Sequence, residues 1–246
     1  MQLKNPVFYP VGASPAIGYA AKALEYRGCL VAKGPDEDVT HLLLPVPWTG
    51  AENLTELLAQ LPEDVTIFGG KLPDLEGYIK EDFLKDERYL AENAAITAHC
   101  ALSIATEHLP ITLDRCPALI IGWGRIGKCL AQLLKASGAN VTVAARKEMD
   151  LAMAAALGYG ATAIQGLSFG LMRYRLIFNT VPYPVLDKSQ MAHCRKDAVK
   201  IDLASVQGIA GDDVICARGL PGKRAPESSG NLIARTAIRL ACGKER

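Results

Sequence analysis

Short apolar runs alternate with amphipathic stretches over residues 7–70. The segments PVFYPVG, RGCLVAKG, DVTHLLLPVPW and DVTIFGG have the length and the content of β-branched and aromatic residues that favour strands. Between them, apolar residues at helical spacing in PAIGYAAKALEY predict a helix that Gly28 closes, and AENLTELLAQL predicts another. This alternation predicts a small parallel sheet from about Val7 to Gly70 that is covered by helices.

A stretch without glycine or proline, EDFLKDERYLAENAAITAHCALSIATEHL, follows and predicts one or two bridging helices. A second alternating series comes next. Its predicted strands are ALIIGWG, NVTVAAR, ATAIQ, RLIFNTVP, AVKIDLAS and VICARGLPG, and its predicted helices are RIGKCLAQLLKASG and KEMDLAMAAALG. The segment PESSGNLIARTAIRLACG then predicts a closing helix.

The two series predict an α/β protein with two Rossmann-like lobes, each built on a parallel sheet, joined by the bridging helices. We assign residues 1–85 to a flavodoxin- or Rossmann-like substrate lobe and residues 86–110 to the bridge. Residues 111–225 are assigned to a dinucleotide-binding Rossmann domain. The helix in 226–246 is expected to pack back towards the N-terminal lobe.

Composition narrows the possible partners. The chain has 246 residues, of which 50% are hydrophobic and 22% charged, so it can bury a substantial core. Its net charge of +1 provides no field for nucleic acid or an anionic membrane, and no apolar run has membrane-spanning length, so we expect neither partner. Seven cysteines without a C-x-x-C motif, and the lack of a secretory or transit pattern, favour buried thiols in a reducing cytoplasm. No cysteine or histidine spacing predicts a metal site.

Gly122, Gly124 and Gly127 form a G-x-G-x-x-G pattern directly after an apolar run and directly before a helical pattern. In a dinucleotide-binding turn, the first glycine permits the tight turn, the second lets the backbone approach a pyrophosphate, and the third allows close helix packing. The amides at the helix start, including those of Arg125 and Ile126, meet the phosphates. We predict that these five residues bind a dinucleotide. The alternative is a tight strand-to-helix turn without a ligand.

Arg146 and Lys147 stand where a dinucleotide site usually carries the acid that binds the ribose, at the end of the second strand. A guanidinium and an ammonium there would complement a 2′-phosphate, so NADP is favoured over NAD. The alternative is that both are solvated residues at the start of the next helix. Against it, basic residues at a helix start oppose the helix dipole and favour a bound anion.

Two further strand ends carry candidate polar groups, because ligands of open α/β sheets bind beyond the carboxyl ends of the strands. Four residues that leave one strand are candidate cofactor contacts: Asn179, Thr180, Val181 and Pro182. Asn179 is a candidate contact for the nicotinamide half of the cofactor and also a catalytic candidate. The alternative is that Asn179 and Thr180 only cap the next turn. Asp202, a catalytic candidate, and Ser205, a substrate candidate, end the next strand. Asp202 could equally be a structural acceptor for backbone amides.

The segment GLPGKRAPESSG predicts a loop rich in anion-binding donors before the last helix. Lys223 is its catalytic candidate, and Pro221, Gly222, Ser228 and Ser229 are substrate-binding candidates. The alternative is a basic surface loop. Outside this segment, two more residues are substrate candidates: Ser14, whose alternative role is a helix cap, and His99, whose alternative is a solvated helical histidine.

Seven segments together resemble the A-type proteins of the dipicolinate synthase family, from about Val65 to the end of the chain: FGGKLPDLEGY, YLAENAAITA, IIGWGRIGK, GANVTVAAR, FNTVPYPVLD, IDLASVQG and GLPGKRAPESSGNLIA. The resemblance implies two Rossmann-like domains and oxidation of a dihydrodipicolinate-type cyclic dicarboxylate by hydride transfer to a nicotinamide cofactor in the cleft between them. It also implies a partner, the flavoprotein-like B subunit, together with a role in sporulation, and we expect a homo-oligomer. The motif positions that coincide are Gly122, Gly124, Gly127, Arg146, Asn179, Asp202, Ser205, Pro221, Gly222, Lys223, Pro226 and Gly230.

The chain departs from the family pattern where the substrate is expected. The N-terminal lobe looks shorter, His99 stands in place of an acid, and Glu227 stands in place of a basic residue. These changes keep open a non-catalytic or regulatory NADP-binding protein. A 2-hydroxyacid dehydrogenase is less favoured, because IDLAS occupies the region of the required arginine and no histidine follows His193 to form a His–Glu pair.

Overall fold

The computed structural model describes residues 5–50, 53–167 and 170–243. The chain divides into two compact units, one formed by residues 1–93 together with 221–246, and the other by residues 94–220. The first unit is therefore assembled from two separate segments of the chain, and the second from one continuous segment. Residues 51 and 52, at the start of the helix predicted in AENLTELLAQL, lie outside the described residues.

The first unit is built on a parallel sheet with the strand order β2-β1-β3-β4-β5, which is the order of flavodoxin-like folds. Its elements up to the long helix are β1 (Val7–Pro10), α1 (Pro15–Tyr26), β2 (Leu30–Val31), β3 (His41–Leu43), α2 (Leu54–Leu58), β4 (Thr66–Gly69), β5 (Lys80–Asp82) and α3 (Glu87–His108). The bridging segment, predicted as one or two helices, is the single helix α3, and the unit boundary falls within it, after Asn93.

Strand β5 corrects the predicted extent of this sheet, which ended near Gly70. Its residues pair only with β4, Lys80 lying opposite Ile67 and Asp82 opposite Gly69. The charged sequence KED carries no apolar alternation, because an edge strand has little to bury and charged residues protect such an edge from pairing with other chains. Hydrophobic periodicity therefore does not predict this strand.

The second unit is a six-stranded parallel sheet with the order β11-β10-β9-β6-β7-β8. Read from β8, this is the strand order of the dinucleotide-binding Rossmann fold, and the order reverses between β6 and β9. The elements are β6 (Pro117–Ile121), α4 (Arg125–Ala136), β7 (Asn140–Ala145), α5 (Glu148–Ala156), β8 (Gly160–Ala163), β9 (Leu176–Asn179), α6 (Lys188–Met191), β10 (Val199–Asp202) and β11 (Val214–Cys216). The predicted class, α/β with two parallel-sheet Rossmann-like lobes, is confirmed.

The segment predicted as the last strand and the following loop is partly helical. Only Val214–Cys216 pairs as a strand, and residues Leu220–Arg224 form the short helix α7 before α8 (Pro226–Ala241). A proline in the first turn of a helix is tolerated, since its missing N–H would have no intrahelical partner there, so Pro221 does not force a loop. Among the described residues, no helix combines the length and the apolar content needed to span a membrane.

Helix α8 packs closely on α1 within the first unit. The buried face of α1 consists of Ala16, Ile17, Ala20, Ala23 and Leu24, at helical spacing and with small side chains that permit close approach. At Gly230 of α8, a Cβ atom would lie 2.5 Å from the carbonyl oxygen of Ala16 and 2.8 Å from the amide nitrogen of Ala20. The backbones of the two helices are thus in contact at this glycine.

We expect Gly230→Ala to lower the free energy of unfolding by about 2 kcal/mol, because the added methyl group must push two packed helix backbones apart. Urea unfolding followed by circular dichroism measures this. The matched control is Gly18→Ala on α1, where a Cβ meets nothing within 4 Å and the better helix propensity of alanine stabilises by about 0.5–1 kcal/mol. A Gly230→Ala protein as stable as the wild type would contradict the described contact.

Candidate functional site

The glycine turn connects β6 to α4 at the point where the strand order of the second unit reverses. Gly122 has φ 108°, a left-handed conformation that favours glycine. A Cβ at Gly122 would overlap the hydroxyl of Thr180 and lie 2.9 Å from Val181 Cγ2, and a Cβ at Gly127 would overlap the carbonyl oxygen of Gly122. These two glycines are therefore required by the turn itself and by its contact with the segment after β9.

Gly124 has no such internal reason to be glycine. Its φ of −79° and ψ of −170° are extended and available to any residue, and a Cβ there would meet no atom within 4 Å. Gly124 is the N-cap of α4, whose first turn contains no acidic residue, and the first-turn amides of a helix lack intrahelical acceptors. An exposed glycine above such a helix start is what close approach of a pyrophosphate requires, so the turn fits a dinucleotide.

Arg146 and Lys147 follow β7, the strand beside β6, where Ile121 lies opposite Ala144. Both side chains are exposed, Lys147 is the N-cap of α5, and neither takes part in an ion pair with the described residues. The first turn of α5 already carries Glu148 and Asp150, which satisfy the positive end of its dipole. Two cations without an ion-pair partner among the described residues therefore lie at the edge that also holds the glycine turn.

Asn179 and Asp202, two of the predicted catalytic candidates, form a buried hydrogen-bond network. Both side chains are almost fully buried, with relative exposures of 0% and 1%. Asn179 Nδ2 donates to Asp202 Oδ2 at 3.0 Å and to the Val181 carbonyl oxygen at 3.0 Å, and Asn179 Oδ1 accepts from the Val181 amide at 2.9 Å. Both donor hydrogens of Asn179 are therefore used within this network.

The carboxylate of Asp202 accepts four hydrogen bonds in total. Besides Asn179, the donors are the backbone amides of Ala204 at 3.0 Å, Gly208 at 2.8 Å and Ile209 at 3.0 Å. Asp202 is therefore an acceptor for backbone amides, which is the alternative role that its sequence position allows. We therefore interpret Asn179 and Asp202 as positioning residues, because they tie the segments after β9 and β10 together at the carboxyl edge of the sheet.

The segment after β9 carries the other predicted cofactor contacts. Thr180 Oγ1 donates to the carbonyl oxygen of Ile121 at 3.0 Å, which joins this segment to the glycine turn. Val181 is half-buried, and Pro182 and Ser205 are exposed at the same edge of the sheet.

In the helix α4, which follows the glycine turn, burial raises the pKa of the Cys129 thiol, so this cysteine is neutral at physiological pH.

The starts of α1 and α8 come together in the first unit, because Gly230 lies against Ala16. Ser14 is the N-cap of α1 but its side chain makes no capping hydrogen bond, so the capping alternative is not realised. At the start of α8, Ser228 is exposed and Ser229 is buried. Two helix N-termini of 12 and 16 residues thus share one end of the pair, an arrangement that favours anions.

The remaining predicted residues are dispersed. Lys223 is exposed and Gly222 is half-buried in α7, whereas Pro221 is buried. His99 is exposed on the part of α3 that belongs to the second unit. Across the described residues, no cluster of three histidine, cysteine, aspartate or glutamate side chains could hold a metal ion.

Comparison with known proteins gives one curated relative and several solved structures of related fold, and no protein-family model matches the chain. The dipicolinate synthase A protein of Bacillus subtilis (strain 168) is 24% identical over 240 residues, which cover 86% of this chain and 81% of that protein. The crystal structure of the dipicolinate synthase A protein from Bacillus halodurans has a TM-score of 0.85 at 20% identity, covering 99% of this chain and 100% of that one. The corresponding crystal structure from Bacillus subtilis has a TM-score of 0.81 at 19% identity, and the match covers 98% of this chain and 97% of that one. The crystal structure of a transhydrogenase from Sinorhizobium meliloti has a TM-score of 0.74 at 13% identity, and the match covers 95% of this chain and 92% of that one.

Proposed function

We propose that this chain, which resembles the A-type dipicolinate synthase proteins in sequence and fold, is an NADP-dependent oxidoreductase acting on a dihydrodipicolinate-type cyclic dicarboxylate. The resemblance predicted from its motifs is confirmed, and its fold is one on which dehydrogenases bind nicotinamide dinucleotides. The observation that carries the proposal is the glycine turn at the reversal of the strand order, with open space above Gly124.

The residues that would hold the cofactor all lie in the second unit. The amides of Gly124, Arg125, Ile126 and Gly127 would bind the pyrophosphate, and Arg146 with Lys147 would bind the 2′-phosphate that distinguishes NADP from NAD. When bound, the nicotinamide supplies a two-electron acceptor that takes up a hydride. Thr180, Val181 and Pro182 would form the wall of the site on the side of β9, held in place by the network around Asp202.

A dicarboxylate is bound by positively charged groups and by N–H donors. Backbone amides at the starts of α1 and α8 are such donors, and the Ser14 hydroxyl is not used as a cap. Lys223 would add one positive charge to orient a carboxylate. Oxidation of the dihydropyridine ring removes one hydride and one proton, and with Asn179 and Asp202 buried in their network the proton is released to solvent water rather than to either side chain.

The direct test is turnover. The protein is incubated with dihydrodipicolinate and either NADP or NAD, with and without a flavoprotein-like B subunit, and the pyridine chromophore is followed by absorbance. We expect product with NADP. No pyridine product under any of these conditions would contradict the proposal, and loss of turnover in Lys223→Ala would support the orienting role of that lysine.

Replacing Arg146 and Lys147 together by glutamine is expected to weaken NADP binding by about a hundredfold or more, because each charge-assisted hydrogen bond to a phosphate contributes about 1.5–3 kcal/mol. NAD binding should stay unchanged, since NAD lacks the 2′-phosphate. Fluorescence titration with both cofactors measures the ratio. The control is Lys196→Gln, an exposed lysine that precedes β10 and so lies at the opposite edge of the sheet. Equal losses for NADP and NAD would overturn the assignment.

A non-catalytic NADP-binding protein is the second candidate. The specific observation in its favour is that Asn179 and Asp202 are sequestered, which leaves no buried acid or base assigned to the reaction. The exposed His99 and Glu227 in the first turn of α8 add to it, because both replace groups of the family pattern near the expected substrate. Tight NADP binding without turnover on any cyclic dicarboxylate is the result that would favour this candidate.

A further inference from the structure

The first unit contains a cavity of about 590 Å³ that the proposed function does not use. Its volume lies within the range of small-molecule sites. The lining comes from the end of α1, the start of α3 and the second half of α8. Its charged and thiol side chains are Arg27, Arg88, Glu92, Arg235, Arg239 and Cys242. All of them belong to the first unit.

Positive charge exceeds negative charge in this cavity. Glu92 accepts from Arg88 Nε at 3.2 Å and from Arg235 at 2.6 Å, and the hydrogen bond from Arg235 lowers the pKa of its carboxyl group. Arg239 pairs with Asp86 at 2.7 Å. The guanidinium of Arg27 donates to the carbonyl oxygen of Ala23 at 3.0 Å and has no carboxylate partner within the described ranges.

Helix dipoles account for only part of this excess. Arg27 and Arg239 lie at the C-terminal ends of α1 and α8, where cations are favoured. Arg88, however, lies in the first turn of α3, where a cation opposes the dipole. The ion pair of Arg88 with Glu92 offsets part of this cost, and an anion shared by several guanidinium groups of the cavity would offset more of it.

We propose that this cavity binds a small organic dianion, a phosphate ester or a dicarboxylate. Planar guanidinium groups bind both of these in bidentate fashion, and two negative charges offset the excess that the pairing with Glu92 and Asp86 leaves. The side chain of Ile238 and the aliphatic stems of the arginines provide an apolar wall for an organic body. Free phosphate, a phosphate ester and a dicarboxylate share this chemistry, and the experiment below distinguishes them.

The cavity is separate from the substrate end of the same helix pair. Gly230 places the start of α8 beside the start of α1, whereas Arg27 at the end of α1 shares the cavity with Cys242 at the end of α8. The two helices therefore run in the same direction, and the cavity lies at the end opposite the Ser14 and Ser229 side chains. A ligand here would not compete with a substrate bound at the helix starts.

Cys242 provides a local readout that involves no turnover. It is exposed and lines the cavity, Cys216 is exposed in the second unit, and burial raises the pKa of Cys29, which slows its alkylation. The full chain is alkylated with iodoacetamide, and the Cys242 and Cys216 peptides are followed separately by mass spectrometry. The probes are inorganic phosphate, adenosine monophosphate and malonate, with sodium chloride at matched ionic strength.

We expect at least one dianion to slow alkylation of Cys242 by about fivefold while leaving Cys216 unchanged, since a bound anion in a small site blocks the thiol. The pattern among the three probes identifies the source. In Arg27→Gln the dianion concentration for half protection should rise by about tenfold. This variant leaves the three ion pairs of the cavity intact, so it is expected to fold.

The matched control is Lys22→Gln, an exposed cation on the same helix but outside the cavity lining. Protection that is absent, that chloride reproduces, or that Lys22→Gln weakens as much as Arg27→Gln would overturn the proposal. Because this readout needs neither cofactor nor substrate, its failure is distinguishable from failure of the proposed oxidation.

Discussion

Gly124→Ala is expected to weaken dinucleotide binding by about a hundredfold, or about 2.7 kcal/mol. The added methyl group meets no protein atom within 4 Å, so the cost falls on a ligand whose phosphates approach the backbone. Loss of glycine from the N-cap of α4 should reduce stability by no more than about 1 kcal/mol. Fluorescence titration with NADP and thermal unfolding without ligand measure the two effects separately.

Two other glycine variants bracket this result. Gly166→Ala adds a methyl group in the same unit that also meets nothing within 4 Å, and it should leave cofactor binding unchanged. Gly127→Ala forces a methyl group onto the carbonyl oxygen of Gly122, so it should destabilise the fold as well as binding. If Gly124→Ala binds NADP as tightly as the wild type, the turn does not hold a pyrophosphate.

Asp202→Asn is expected to lower the free energy of unfolding by about 3 kcal/mol or more, and to weaken cofactor binding with it. The carboxylate accepts from three backbone amides and from Asn179, and an amide group of the same shape can accept with only one of its two heavy atoms. At least one buried donor is then left without an acceptor. Urea unfolding and NADP titration report the two effects.

The control for charge alone is Asp212→Asn, an exposed carboxylate before β11 that should change neither property. A second variant, Asn179→Ala, removes only one arm of the network and should produce the same pattern at smaller size. A direct catalytic role for Asp202 would give a different outcome: unchanged stability and unchanged NADP affinity, with the loss confined to kcat.

The sequence predicts most of the second unit because its strands are buried on both faces. Residues 118–121 of β6 are all fully buried, and such a run of apolar residues followed by G-x-G-x-x-G has few alternative structures. Strand β5 escapes prediction because an edge strand of three polar residues has no buried face. Helix α7 is not predicted because its proline and glycine favour a loop. The sequence alone does not show that Pro221 lies in the first turn of a helix, where a proline is tolerated.

Site residues that lie close together in the sequence can be interpreted from local patterns, whereas residues that are distant in the sequence cannot. The glycine turn is predictable since its three residues are close in sequence and each meets a distinct geometric demand. The bonds of Asn179 to Asp202 join positions 23 residues apart, so a single strand end cannot reveal that both side chains are already occupied. The arginine cavity gathers side chains from three helices that are distant in sequence, and local patterns carry no trace of it.

The split construction of the first unit has a consequence for biosynthesis. Helix α1, which buries Ala16, Ile17, Ala20, Ala23 and Leu24, packs on α8, which the ribosome makes only after the whole second unit. The second unit can therefore fold first, while the apolar face of α1 in residues 1–93 stays exposed to solvent until α8 is made. A nascent chain stalled before Pro226 should bind chaperones through α1, and this binding should end when α8 emerges from the exit tunnel.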